Sequence, residues 1–409
     1  MRRVVVTGMS AITALGHNWQ DFENNLRKKH NAVRVDEKLK SIDGLSTHLS
    51  APILDFVKPA HYKRKQIRSM GRVSLMATTA TEVALEDANL LKDEYFKSGR
   101  MGVAYGSSIG STEPIIAFGD LLKSGNMQGV TATSYIKMMS HTTAVNIGVF
   151  FGISGRVYTT SSACTSSSQA IGYAYEAIKF GKQEIMVAGG GEELCPSEVA
   201  VFDTLYATST KNSQPAHTPR PFDKDRDGLV IGEGACTLIL EEYEHAVARG
   251  ANIYAELVGY GTNSDGMHVT QPTKETMAKA IVEAMEDAGV TAEDIGYVNA
   301  HGTATDRGDI AETHATVIAV SKNTPISSLK SYLGHTLGAC GAIESWACIS
   351  MMNNGWFSPT INLDNIDPAC GELDYITGDG RIIDTQYVMT NNFAFGGINT
   401  SLIFKRMSS

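Results

Sequence analysis

The chain has 409 residues, 43% of them hydrophobic, so it can bury a large core as one big domain or two similar halves. A net charge of −9 argues against nucleic acid as a general partner, and no stretch approaches the roughly 18 apolar residues of a membrane span. Six scattered cysteines, without a secretory leader, C-x-x-C pair or zinc-finger spacing, imply a reducing cytoplasm.

The first apolar run, RRVVVTG, predicts a buried strand. HYKRKQIRS (His61 to Ser69) is locally basic against the acidic background. It reads either as a solvated helix face or as a docking patch for an acidic partner. ALEDAN (Ala84 to Asn89) lies on an amphipathic helix, and the strand MGVAYG follows it. GSSIG (Gly106 to Gly110) fits G-x-S-x-G with Ser108 as nucleophile, but no acid-then-histidine pair follows in a recognisable context.

Val157 to Thr160 is β-branched and aromatic, as strands are. Beyond it Ile171, Ala174, Tyr175 and Ile178 recur at the spacing of one helix face, until Gly181. Between them, in TTSSACTSSSQAIG, Cys164 stands among small hydroxyl residues at a strand-to-helix turn. A helix start favours thiolate and offers backbone N–H groups to an anion. The turn alone leaves two readings, a nucleophile or a buried structural cysteine. Cys236 and Cys348 lie inside apolar runs and read as core.

EIMVAGGG and CTLILEE predict two more strands. DKDRDG (Asp223 to Gly228) imitates a calcium loop, yet the position of the closing acid is Gly234 and the acid is Glu233. AMEDAG (Ala284 to Gly289) then echoes ALEDAN, and the strand IGYVNAHG follows it as MGVAYG follows the first copy. The echo predicts duplicated halves, 1–250 and 251–409, with a site built between them. His301 ends that strand and opens HGTATDRGD. His335 lies in SSLKSYLGHTLGACGAIES, five residues after Lys330, among glycines that allow close backbone approach. A thiol needs such partners, and its reaction needs donors for developing negative charge. In NNFAFGGINTSLIF, Phe393 and Phe395 precede a Gly-Gly pair, as residues facing or gating a pocket would.

SSAC, HGTAT, LKSYLGHTLGACG and NFAFGG, in that order, resemble a β-ketoacyl-[acyl-carrier-protein] synthase of the I/II branch, most like synthase I. The similarity runs from RRVVVTGMSAITALG to the last strand. It implies the α/β thiolase fold: two similar halves with mixed five-stranded sheets in a five-layered αβαβα arrangement. It implies an acyltransferase that condenses acyl- and malonyl-carrier protein in fatty-acid biosynthesis, with loss of CO2. It also implies no cofactor of its own, since phosphopantetheine arrives on the acyl carrier protein, and no metal in the reaction. Cys164 becomes the acyl-accepting nucleophile, with His301 and His335 as donors to the malonyl thioester. Lys330 becomes the orienting cation, paired with Glu312. The N–H groups of Cys164 and Phe395 become the oxyanion hole. Thr303 and Thr305 match the pantetheine path, Phe395 the gate and Ile109 the acyl-tunnel wall, with Phe393 also counted among the substrate-binding residues. Lys63, Arg64, Lys65 and Arg68 become the carrier-protein docking face. Asn299, Glu344 and Asn391 match positions that ring a small cation in some relatives. The resemblance further implies a dimer, either of identical chains or with a chain-length-factor homologue.

Three features depart from the family pattern: Asp306-Arg307 after HGTAT, Ala394 between the phenylalanines, and Met138/Met139. They make a specialised type II polyketide or aryl polyene pathway the alternative to fatty-acid elongation. A degradative thiolase would need a second cysteine near the C-terminus, which NNFAFGGINTS lacks.

Overall fold

The computed structural model describes residues 1–407. Each apolar run becomes a strand of one sheet, and the helices between them cover both its faces. In chain order the sheet-forming and layer-forming elements are β1 (Val4–Ile12), α1 (Arg72–Asp87), β2 (Met101–Gly106), α2 (Thr142–Phe151), β3 (Val157–Thr160) and α3 (Ser166–Lys179). The first half closes with β4 (Ile185–Glu192) and β5 (Gly234–Glu242). The second half runs β6 (Ala255–Ser264), α4 (Lys274–Ala288), β7 (Ile295–Asn299), α5 (Asp306–Ala319), β8 (Pro325–Ser327) and α6 (Cys340–Asn354). It ends with the two-residue β9 (Asp374–Tyr375), then β10 (Tyr387–Ala394) and β11 (Ile398–Lys405).

The sheet has 11 strands in the order β3-β2-β4-β5-β1-β6-β11-β10-β7-β8-β9. Setting the short β9 aside, each half follows the same path outward from the middle. β1 pairs antiparallel with β5, β5 antiparallel with β4, and β4-β2-β3 run parallel. Likewise β6 pairs antiparallel with β11, β11 antiparallel with β10, and β10-β7-β8 run parallel. The halves join where Val4 to Val6 of β1 pair with Ala255 to Leu257 of β6. Helix α1 covers β1 and β5, and α4 covers β6 and β11. Between the two sheet halves lie α3 and α6, packed on each other. Residues 340–352 of α6 are buried on every side, the mark of a helix inside a core. The five layers follow: helix, sheet, helix pair, sheet, helix.

The echoed hexapeptides have a structural cause. In β1 the register slips between Val6 and Gly8, and in β6 between Leu257 and Gly259, so each first strand carries a bulge. Asp87 of the first echo accepts the Met9 N–H at 3.0 Å, and Asp287 of the second accepts the Tyr260 N–H at 3.2 Å. Each aspartate satisfies a backbone donor that the bulge takes out of the ladder. A Cβ on Gly8 would lie 2.3 Å from the Ala84 carbonyl, and one on Gly259 would lie 2.2 Å from the Ala284 carbonyl. Glycine in the strand and alanine on the helix let the backbones touch.

Strand β3 is the sheet's outer edge and pairs on one side only. Next to it α2 turns Ala144 and Ile147 inward and leaves Val149 exposed. No helix among the described residues is long and apolar enough to cross a membrane.

Candidate active site

Two strand-to-helix turns, one from each half, meet at the starts of α3 and α6. After β3 the chain passes through one tight turn, Ala163–Thr165, into α3, with Ala163 at a left-handed φ of 51°. Short hydroxyl side chains satisfy this turn. Ser166 Oγ accepts the Ser162 N–H and donates to the Ala163 carbonyl, and Thr165 Oγ1 donates to the Ser162 carbonyl. This accounts for a cysteine set among serines and threonines, because neither strand nor helix pairs these backbone groups.

Cys164 is only 4% exposed. Burial pushes its thiol up to about 12, while Lys330 and the N–H groups of Phe395 and of Cys164 itself pull the other way. The resting group is therefore a thiol. The thiolate expected from a helix start alone is not what the site holds, because burial outweighs the turn.

His335 follows a short helical turn, Lys330–Leu333, and is held by its own N–H on the Val230 carbonyl. The Leu337 N–H donates to His335 Nδ1 at 3.2 Å, so the ring proton is on Nε2, which faces Cys164 Sγ at 2.9 Å. His301 stands where β7 ends. Its N–H and that of Gly302 donate to the two Glu312 oxygens at 2.6 and 2.7 Å. The two imidazoles meet edge to face at 5.1 Å, and one ligand atom from each of Cys164, His301 and His335 lies within 4.8 Å of the others. Burial holds both histidines well below the usual 6.5, and the Lys330 charge adds to it. Burial keeps both rings neutral, and the Nε2–H of His335 points at the sulfur. A neutral imidazole donor suits an oxygen that gains negative charge.

The expected pairing of Lys330 with Glu312 is corrected. Lys330 Nζ is ion-paired with Glu344 on α6, and both side chains are buried. Glu312 instead spends both oxygens on the backbone of the His301 loop, so it shapes that loop rather than the lysine. Burial pushes its carboxyl up to about 8, with those two N–H groups acting against the rise. Asp309, one turn earlier on α5, fixes the next stretch of loop through the Ala304 N–H. Asn299 Oδ1 and the Asn391 amide are buried without hydrogen-bond partners.

A cavity of about 500 Å³ leads down to Cys164, His301 and His335. Thr303, Thr305, Phe393 and Phe395 line it. Thr303 and Thr305 bond to each other through their hydroxyls at 2.9 Å, and Phe395 stacks on Phe202 at 5.2 Å. Ile109 is not part of this lining. It lies in the loop after β2, where a Cβ on the neighbouring Gly110 would sit 2.7 Å from the Met138 and Met139 carbonyls. Lys63, Arg64, Lys65 and Arg68 are exposed on and beside a single helical turn, Arg64–Ile67, remote in sequence from the turns that hold the thiol.

Two working residues escaped the sequence reading. Glu192, at the end of β4, accepts from the Ser107 hydroxyl and from the N–H groups of Ser108 and Gly338. Asn392, inside β10, reaches Ser168, Glu344 and His301. The signal in both cases is a polar residue within an apolar strand, which must have buried partners.

Family models agree with this geometry. The model for the β-ketoacyl synthase N-terminal domain matches residues 1–246, and that for the C-terminal domain matches residues 254–364. The chain belongs to the β-ketoacyl synthases. It is 38% identical to 3-oxoacyl-[acyl-carrier-protein] synthase 2 of Vibrio cholerae over 414 residues, 99% of each chain. Among solved structures, a β-ketoacyl synthase from Burkholderia phymatum is 60% identical and superposes with a TM-score of 0.99 over the whole of both chains. A type II polyketide acyl-carrier protein in complex with its ketosynthase is 31% identical, with a TM-score of 0.86 and full coverage of both chains. The thiol and two imidazoles of this synthase are thus set in a fold whose relatives join acyl units.

Proposed function

We propose that this synthase condenses acyl-carrier protein with malonyl-carrier protein, releasing CO2 and extending the acyl chain by two carbons in fatty-acid biosynthesis. The observation that carries the reading is the buried convergence of Cys164 Sγ with two neutral imidazoles at the floor of the cavity.

In the first half-reaction Cys164 Sγ attacks the acyl thioester and the carrier thiol leaves. The exchange is proton-neutral, because the proton given up by Cys164 ends on the departing thiol. A thiol held protonated at rest therefore costs the cycle no net proton. The N–H groups of Cys164 and Phe395, already against the sulfur, receive the oxyanion. In the second half-reaction malonyl-carrier protein enters, and its thioester oxygen takes Nε2–H bonds from His301 and His335. Loss of CO2 leaves the electron pair on the α-carbon, with the enolate charge on that oxygen. The carbon attacks the acyl-Cys164 carbonyl, the C–S bond breaks, and the departing thiolate takes a proton from water, the one proton that decarboxylative condensation consumes overall. Lys330, held in its charged form by Glu344, keeps a positive charge behind the site without offering its own proton.

Thr303 and Thr305 line the path of the pantetheine arm, and Phe395 gates it. Phosphopantetheine comes on the carrier, so the scheme needs no cofactor or metal resident in this chain. Lys63, Arg64, Lys65 and Arg68 fit an acidic carrier protein, and the solved polyketide relative is likewise held in complex with its carrier protein. The open edge of β3, with Val149 and Val157 exposed beside it, suits a two-fold partner, either identical or a homologous chain-length factor. Six free, buried thiols suit the cytoplasm.

The experiment offers saturated, monounsaturated and conjugated acyl-carrier proteins together with malonyl-carrier protein, and reads the products by mass. Turnover of saturated medium chains supports fatty-acid elongation. Elongation confined to conjugated or aryl-capped chains would replace it with the specialised polyketide or polyene role.

A further inference from the structure

Asn392 links His301 to the buried Lys330–Glu344 pair through an uncharged amide. Its Nδ2 lies 2.7 Å from Glu344 Oε2. Glu344 is paired with Lys330 and can only accept, so the amide nitrogen must face it. The amide oxygen then faces Ser168, whose hydroxyl donates to it at 2.5 Å. With both ends of the amide fixed, the second Nδ2 hydrogen is left to face His301 Nδ1 at 3.4 Å, with Cys340 Sγ beside it at 3.5 Å. Room for this arrangement comes from Gly341, where a Cβ would lie 2.0 Å from Ser168 Oγ and 2.6 Å from Asn392 Oδ1.

The other half of the molecule offers a control. The last paired residues of β2 and β4 are Gly106 and Gly190, and those of β7 and β10 are Asn299 and Thr390. Two residues further on stand Glu192 in the first half and Asn392 in the second. Each holds the loop after its own half's second strand, and each reaches across to the turn or helix start of the other half: Glu192 to Gly338, and Asn392 to Ser168. The acid accepts from backbone N–H groups. An ionised acid at 392 could only accept, and it would draw the His301 proton onto Nδ1. The amide does the reverse.

We infer that Asn392 is a positioning residue that sets the tautomer of His301, donating to Nδ1 so that the ring proton stays on Nε2 and faces the reacting oxygen. The inference rests on the donor role of His301 in the condensation. It makes the Ser168–Asn392–Glu344–Lys330 chain part of the malonyl half-reaction rather than only of the core.

Two variants test it, Asn392→Asp, which keeps the shape and reverses the bond, and Asn392→Leu, which removes it. Histidine-selective ¹⁵N spectra, with His301 assigned by its replacement, read the tautomer directly. Malonyl-carrier-protein decarboxylation and alkylation of Cys164 are measured alongside. In the wild type Nε2 carries the proton. In Asn392→Asp the proton moves to Nδ1 and decarboxylation falls by about 100-fold or more, the scale of loss when one donor to a developing oxyanion is removed. Asn392→Leu loses less, and both variants still alkylate at Cys164. The inference is overturned if Nε2 stays protonated in Asn392→Asp, or if decarboxylation stays within threefold of wild type. It is equally overturned if alkylation and decarboxylation fall together, the sign of a packing role. If the wild type itself fails to decarboxylate malonyl-carrier protein, the functional reading fails instead, and the spectra still judge the tautomer.

Discussion

The two central helices begin in the same way and end up with opposite tasks. Ala163 and Leu337 both adopt left-handed φ values, 51° and 44°, and each stands three residues before its helix, α3 or α6. In the first half the next residue is Cys164. In the second it is Gly338, where a Cβ would meet Glu192 Oε2 at 2.6 Å and the Ser108 N–H at 2.7 Å. One turn presents a thiol, and the other is kept bare so that a carboxylate from the first half can tie the two together. The second half's chemistry has moved upstream, to His335 and Lys330. Duplication supplied two equivalent turns, and the site needed them to differ.

That asymmetry can be broken one side at a time. Cys164→Ala removes the thiol of the first turn, and condensation should fall by at least about 10⁴-fold. Intact-protein mass spectrometry should then find no acyl adduct, whereas an adduct on the variant would place the nucleophile elsewhere. On the other side, Lys330→Ala leaves Glu344 buried without its cation and should cost about 3–5 kcal/mol of stability. Thermal unfolding reads this, and adding Glu344→Gln should recover part of the loss. His301→Ala and His335→Ala should each lower malonyl decarboxylation by about 10²–10³-fold while Cys164 still takes an acyl group. Decarboxylation at wild-type rates in both would dissolve the division between halves. The smallest effect lies outside the pair. Charge reversal at Lys65 and Arg68 should raise KM for acyl-carrier protein about tenfold and leave a small thioester mimic unchanged. An equal change for both substrates would remove the docking role.

Much of this was readable from residue order. Periodicity marked the strands, and the echoed ALEDAN and AMEDAG marked the duplication before the bulges that explain it were visible. Cys164 and His301 were legible because each stands at a switch from strand to small-residue turn, and His335 because it stands among glycines just after Lys330. What pairing does to charge was not legible. The expectation of a thiolate came from a helix start without its burial, and that of a Lys330–Glu312 pair came from the family resemblance. Glu344 lies on a helix buried all round, where sequence shows no face to choose. Asn392 and Glu192 gain their roles only when the strands are in register, which no local pattern reveals.

The central claim is that two neutral imidazoles act as hydrogen-bond donors in the malonyl step. Burial depresses both pKa values, so the neutral form should persist as pH falls through 6.5, where an ordinary histidine takes up a proton. The direct test is the rate of malonyl-carrier-protein decarboxylation from pH 7.5 to 6.0. The account predicts a flat profile. A rate that changes with an apparent pKa near 6.5, and loses that change in His301→Ala or His335→Ala, would contradict it.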